Sequence, residues 1–164
     1  MLSKNMLVAM NEQVKHELFS AYLYLSMAAH FEAVNLGGFA KWMRVQASEE
    51  QEHGMKFFDH ILDRGGKVAL QAIDQPPVEF TTPLAIFEKV LAHEQQVTAL
   101  IHKLYARAAE ENDYASQLFL GWFVTEQVEE EKNATTILET LKLIGDKSNA
   151  IYQLDHQLGK RGED

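Results

Sequence analysis

The sequence predicts an all-α fold: a four-helix bundle with one long crossover between its second and third helices and a short fifth helix at the C-terminus. Three observations carry this. Apolar residues recur at spacings of three and four over four long stretches. Proline occurs only three times in 164 residues. Two of the links between the stretches are short and one is long. With 46% hydrophobic residues the chain can bury one substantial core. A single domain is therefore expected, with the bundle over residues 1–145 and the fifth helix and a polar tail over 146–164.

The first helix, α1, is predicted over residues 4–34, with Ser3 as its cap and Asn35-Leu36-Gly37-Gly38 as its stop. α2 is predicted over 39–64 and ends at Gly65-Gly66, whose lack of Cβ suits a left-handed closing turn. Thr82-Pro83, a capping residue followed by proline at the first helical position, opens α3 over 83–111. Asn112-Asp113 breaks it, and α4 follows over 114–144 to Gly145. Asp146 or Ser148 can cap the short α5, expected to run through Leu158. The short links make α1–α2 and α3–α4 antiparallel hairpins. The link from Gly65 to Thr82 can extend to roughly 60 Å, whereas a helix like α3 is only about 42 Å long. It can carry the chain from one end of the bundle to the other and set α2 parallel to α3; a mobile lid is the other reading of this segment.

Composition excludes several classes of function. The net charge is −9 and no Lys/Arg run is present to track a phosphate backbone or an anionic membrane surface, so neither nucleic acid nor a membrane is expected as a partner. The acidic excess fits a solvated surface or the handling of cations. There is no cysteine, which removes disulfides, thiolate metal sites and cysteine nucleophiles. The N-terminal stretch has no basic region followed by an apolar one, and no run approaches the roughly 18 apolar residues of a membrane span, so a soluble, cytoplasmic protein is expected.

The inward stripes are interrupted by polar residues. On α2 the stripe reads Phe39, Met43, Gln46, Glu50, His53, Phe57, Ile61; on α1, Met10, Val14, Glu17, Ala21, Tyr24, Ala28. On α3 it reads Phe87, Leu91, Glu94, Val97, Ile101, Leu104, and on α4 Leu120, Phe123, Gln127, Glu130, Ala134, Ile137, Leu141. Each interruption falls near the middle of its helix, so all four belong to one layer. Glu17 and Glu50 are as far apart as Glu94 and Gln127, and each pattern closes three residues later, at His53 and Glu130, which reads as an internal repeat of two hairpins. Burying ionised carboxylates together costs several kcal/mol each without a compensating charge. The stripes contain no lysine or arginine, so bound cations are the expected compensation. One glutamate from each of two helices plus Glu-x-x-His-type pairs from the others is the ligand pattern of di-iron carboxylate bundles, and oxygen ligands with one imidazole suit iron.

At these residues the sequence resembles the haem-free ferritins of bacteria and archaea over nearly its whole length. The resemblance rests on Glu17 with Tyr24, the stretch Glu49-Glu50-Gln51-Glu52-His53, Glu94, and Glu126-Gln127-Val128-Glu129-Glu130. It implies a ferroxidase centre, with one iron held by Glu17, Glu50 and His53, a second by Glu50, Glu94 and Glu130, and Gln127 beside them. Tyr24 would hydrogen-bond a ligand or donate an electron while dioxygen or hydrogen peroxide is reduced. Glu49, Glu126 and Glu129 look like the third iron site that bacterial ferritins place toward their cavity. The resemblance further implies a homo-oligomeric cage of twenty-four subunits lined by α2 and α4, with α5 at the fourfold axis and ferric mineral stored inside. Haem is not expected: Gln51 stands where the haem-containing bacterioferritins carry a ligating methionine, and Gln127-x-x-Glu130 stands where they repeat Glu-x-x-His.

Two other readings compete. A di-iron oxidase or peroxidase that stores nothing would need a substrate cavity, whereas Phe39, Phe57, Phe87 and Phe123 fill the predicted interior. A non-enzymatic helical bundle would be indifferent to metal. His60 shares the face of His53, but without a partner it reads as a core or boundary histidine; His16, His30, His93, His102 and His156 read as structural or exposed.

Overall fold

The computed structural model describes residues 1–145 and 147–162, which form five helices in the order α1 Lys4–Ala33, α2 Gly37–Asp63, α3 Pro83–Glu110, α4 Tyr114–Ile144 and α5 Ser148–Leu158. Ser3 accepts from the Met6 amide, Thr82 from the Ala85 amide and Asp113 from the Ser116 amide, so three of the four long helices begin on a side-chain cap. Both hairpins close in the same way. Asn35 and Asn112 take positive φ values of 60° and 55°, and the amides that follow them reach back to Phe31 O and Ala108 O. The two asparagines are related by the same offset that relates Glu17 to Glu94, Glu50 to Gln127 and His53 to Glu130, so the internal repeat extends to the turns.

The long link runs beside α1 from its start to its end. Asn11 holds the first part, donating to Lys67 O at 3.2 Å and accepting from the Ala69 amide at 2.7 Å. Lys15 then lies 3.8 Å from Asp74, Ser26 donates to Pro77 O, and His30 packs on Phe80. α3 thus begins at the end where α2 begins, and the two are parallel. Arg107 near the end of α3 donates to Asn5 O near the start of α1, which sets those two antiparallel. At the far end Arg64 pairs with Asp113 at 2.9 Å and ties the end of α2 to the start of α4.

The first turn of α2 differs from the sequence reading. Gly37 and Gly38 are helical, not part of the stop, because the left-handed residue that closes α1 is Asn35. Gly38 has another task. A Cβ there would meet the carbonyl oxygen of Asp155 at 1.6 Å, and the Asp155 carboxylate accepts from the Phe39 amide at 2.9 Å. α5 therefore docks on the uncapped start of α2 and supplies its cap from across the sequence. Ser148, suggested as the cap of α5, is instead its first residue; Asp146 lies outside the described residues. Gly38→Ala is expected to push α5 off the bundle. Amide hydrogen exchange should then speed up at least tenfold over residues 148–158 while α1 to α4 stay protected.

The core is divided. One apolar cluster contains Tyr24, Met27, Phe31, Phe39, Trp42 and Phe87, and the other contains Met6, Met10, Phe57, Ile61, Ile101 and Phe123. Ala21 and Leu91, expected inside, are only half-buried. Between the two clusters lie the polar interruptions.

Candidate metal centre

Glu17, Glu50, His53, Glu94, Gln127 and Glu130 are all buried, each with 5% or less of its surface exposed. Each is delivered by the middle of a long helix, so no loop needs to order for them to meet. α1 and α2 pack closely at Gly54, where a Cβ would make van der Waals contact with Glu17 Cβ and the Leu18 side chain at 3.4 Å. Gly121, in the first half of α4, faces nothing within 4 Å, and nothing in the chain's own packing explains it.

Two overlapping groups of donors converge. One ligand atom from each of Glu17, Glu50 and His53 lies within 4.8 Å of the other two, and so does one from each of His53, Glu126 and Glu130. His53 is the shared corner, with Nδ1 3.5 Å from Glu50 Oε2 and Nε2 4.0 Å from Glu126 Oε1. Its ring is wedged edge-on against Trp122 and Phe123. Glu94 belongs to neither group: Tyr24 donates a very short hydrogen bond to it and Gln127 Nε2 donates at 3.3 Å.

Side-chain amides orient the carboxylates. Gln13 Nε2 donates to Glu17 Oε1 at 2.8 Å, and Gln46 Nε2 donates to Glu130 Oε2 at 2.7 Å. Gln127 also reaches Thr98 Oγ1, which in turn donates to Glu131. Among the described residues no buried side-chain nitrogen or oxygen lacks a hydrogen-bond partner. The donors Gln13 and Thr98 were not among the candidates read from sequence. Gln13, one helical turn before Glu17, had a spacing signal. Thr98 had none, since its role depends on where α4 sits.

The electrostatics of the layer are those of carboxyls buried together. Burial lifts the Glu17 carboxyl well above the ordinary carboxylate range, and the Glu50 charge adds to this. Burial and then Glu94 do the same to Glu50. Glu94 is raised by burial against the opposing hydrogen bonds of Tyr24 and Gln127, and Glu130 is raised to about 7 by burial and then by Glu94. Tyr24 is held well above its usual value, first by burial and then by Glu94, so its phenol keeps its proton. Each of these carboxyls binds its proton more tightly than a free one; divalent cations would compete with the protons and remove the mutual repulsion.

The remaining candidates are less enclosed. Glu126 is half-buried beside His53 and Glu130, and Glu129 is exposed. Glu49 is half-buried and paired with Arg161 at 2.5 Å. The stripes themselves contain no arginine, yet the tail brings one to the rim of the layer, which the sequence reading did not anticipate. His60 lies outside the layer and stacks on Phe119 at 4.0 Å. His93 shares a 2.8 Å hydrogen bond with Ser20, and burial followed by the His16 charge lowers it to about 4.

A family model for the ferritin-like domain matches residues 7–144. The chain is 42% identical over 161 residues to a bacterial non-heme ferritin of Staphylococcus aureus, spanning 98% of this chain and 97% of that protein. It is 42% identical over 164 residues to the bacterial non-heme ferritin of Staphylococcus haemolyticus, spanning 100% and 99%. Its fold is similar to that of an open pore ferritin from the hyperthermophilic archaeon Archaeoglobus fulgidus, with a TM-score of 0.97 and 49% identity over 98% of this chain and 99% of that one. With its helices, its crossover and its buried glutamate–histidine layer alike, the chain belongs to the ferritin family.

Proposed function

We propose that this protein is an iron-storage ferroxidase: it oxidises Fe(II) to Fe(III) at the buried layer and deposits ferric mineral inside a hollow homo-oligomeric cage of twenty-four subunits in the cytoplasm. The observation that carries the reading is the layer itself, four buried glutamates and a histidine between two closed apolar clusters. Glu17, Glu50 and His53 hold one Fe(II), and Glu50, Glu94 and Glu130 hold the second, with Gln127 beside them. Glu49, Glu126 and Glu129 form a third position on the outer side of the layer, toward the cavity. Iron here is substrate and cargo, and no haem takes part.

Two Fe(II) give up two electrons, which with two protons reduce dioxygen to hydrogen peroxide; a second pair of Fe(II) with two further protons reduces the peroxide to water. The chain's part is to hold the two ions side by side in a region without bulk water and to offset their charge with carboxylates. Tyr24, hydrogen-bonded to Glu94, positions that ligand and lies close enough to supply an electron. Phe57 and Phe123 pack on one side of the layer and Phe39 and Phe87 on the other, which leaves an organic substrate no room between them and disfavours a di-iron oxidase of small molecules.

The test is aerobic Fe(II) oxidation followed by near-ultraviolet absorbance, on protein sized by gel filtration and loaded with iron well beyond three ions per chain. Rapid oxidation with iron kept soluble in a cage-sized particle is the expected result. Oxidation that stops near two ions per chain in a small oligomer would replace storage by a di-iron oxidase.

A further inference from the structure

The C-terminal tail reaches the rim of the layer through one side chain. Arg161 Nη1 donates to Gln46 Oε1 at 2.9 Å, and Nη2 donates to Glu49 Oε2 at 2.5 Å. The guanidinium lies over the Trp42 ring, 4.6 Å from its centroid. Docking of α5 against Gly38 and the Phe39 amide sets the tail in place for these contacts. The other end of Gln46 faces inward, where its amide nitrogen donates to Glu130. One planar cation thus rests on an indole, engages the acceptor end of Gln46 and takes a carboxylate of the third position. The planar fork, always charged, suits this three-way placement in a way that an ammonium would not.

A divalent cation held by both oxygens of Glu49 would need the Oε2 that the guanidinium takes at 2.5 Å, and the two positive charges repel each other. The competitor is tethered, so its local concentration does not fall when the protein is diluted. We propose that Arg161 is a built-in competitor for cations at Glu49, so that filling of the third iron position and docking of the tail exclude each other. This rests on the reading of Glu49, Glu126 and Glu129 as that third position. In this arrangement the first two ions bind while the tail is docked. A third ion displaces Arg161 from Glu49, frees Gln46 from its acceptor bond, and lifts the guanidinium off Trp42.

Anaerobic calorimetric titration of the assembled protein with Zn(II), which is not oxidised, tests this. In Arg161→Gln the third and weakest Zn(II) is expected to bind on the order of tenfold more tightly, while the two tight ions change less than about twofold. Arg161→Lys, which keeps the charge but loses the planar fork that spans Glu49 and Gln46, should fall between. Gly38→Ala, which frees the tail by another route, should reproduce the effect of Arg161→Gln. The chain has two tryptophans, so a Trp122→Phe background leaves Trp42 as the sole indole. There the third Zn(II) should shift Trp42 emission when Arg161 is present and leave it unchanged in Arg161→Gln. Two tight ions with a third whose affinity is the same in all variants, and a silent Trp42, would overturn the competition and leave the metal centre standing. No tight Zn(II) in the parent protein would overturn both.

Discussion

Replacing Glu50 by alanine is expected to slow Fe(II) oxidation at least about a hundredfold while the protein still folds and assembles. Glu50 lies between the two halves of the layer, within ligand range of Glu17 and His53 and in the field of Glu94 and Glu130. Loss of residues that only orient ligands already costs about 10- to 100-fold at metal sites, so loss of a shared ligand should reach or exceed the upper end. The fold should survive because Glu50 is a source of repulsion in the metal-free layer, and its removal offsets part of the cost of the small cavity left behind. Glu50→Gln separates the two effects. It keeps the shape, loses the charge, and should be nearly as slow in stopped-flow oxidation while melting at or above the parent temperature. Oxidation at the parent rate in both variants would place the chemistry elsewhere.

The metal-free protein should lose stability as pH rises from about 5 to about 8, and divalent cations should restore it. The Glu17, Glu50, Glu94 and Glu130 carboxyls all bind their protons more tightly in the folded chain than in the unfolded one. Their contribution is whole below the unfolded value near 4.5 and is lost as pH rises through the folded value, about 7 for Glu130. That displacement alone corresponds to roughly 3 kcal/mol. Zn(II) at a hundredfold excess over its dissociation constant would return about 2.7 kcal/mol at pH 8 by binding the folded state only. Melting in a chelating buffer at pH 5.5 and pH 8, then at pH 8 with Zn(II), reads both effects, and Glu130→Gln should flatten the pH slope. Stability that rises with pH in the chelating buffer and ignores Zn(II) would contradict the account and favour a bundle that carries its glutamates for no cation.

The layer is legible in the sequence because every one of its members follows from helical period alone. Glu17, Glu50, Glu94 and Glu130 stand where an apolar residue is due, and a charged residue in an apolar stripe needs a reason. The crossover is legible for a similar reason, since the length of the Gly65 to Thr82 link fits a traverse of the bundle, and Asn11 and Ser26 then anchor it. What period alone does not encode is contact between distant segments. Asp155 capping α2, and Arg161 reaching Gln46 and Glu49, join residues more than a hundred positions apart on an element whose docking depends on one missing Cβ at Gly38. Asn35 also escapes a reading that credits turns to glycine: its left-handed conformation closes α1 and leaves Gly37-Gly38 free to be helical. Tyr24 stands between these cases. Its face and a hydrogen bond to a ligand are expected from the sequence, while the identity of that ligand, Glu94, depends on how α3 packs against α1.

The central claim is that two cations sit side by side inside the bundle. Crystals grown and soaked with Fe(II) under anaerobic conditions, with anomalous diffraction collected at the iron edge, test it most directly. Two strong peaks per chain are expected, one between Glu17, Glu50 and His53 and one between Glu50, Glu94 and Glu130, with a weaker third near Glu126. Iron found only on exposed carboxylates such as Glu52 and Glu129, with no peak inside the buried layer, would contradict the account.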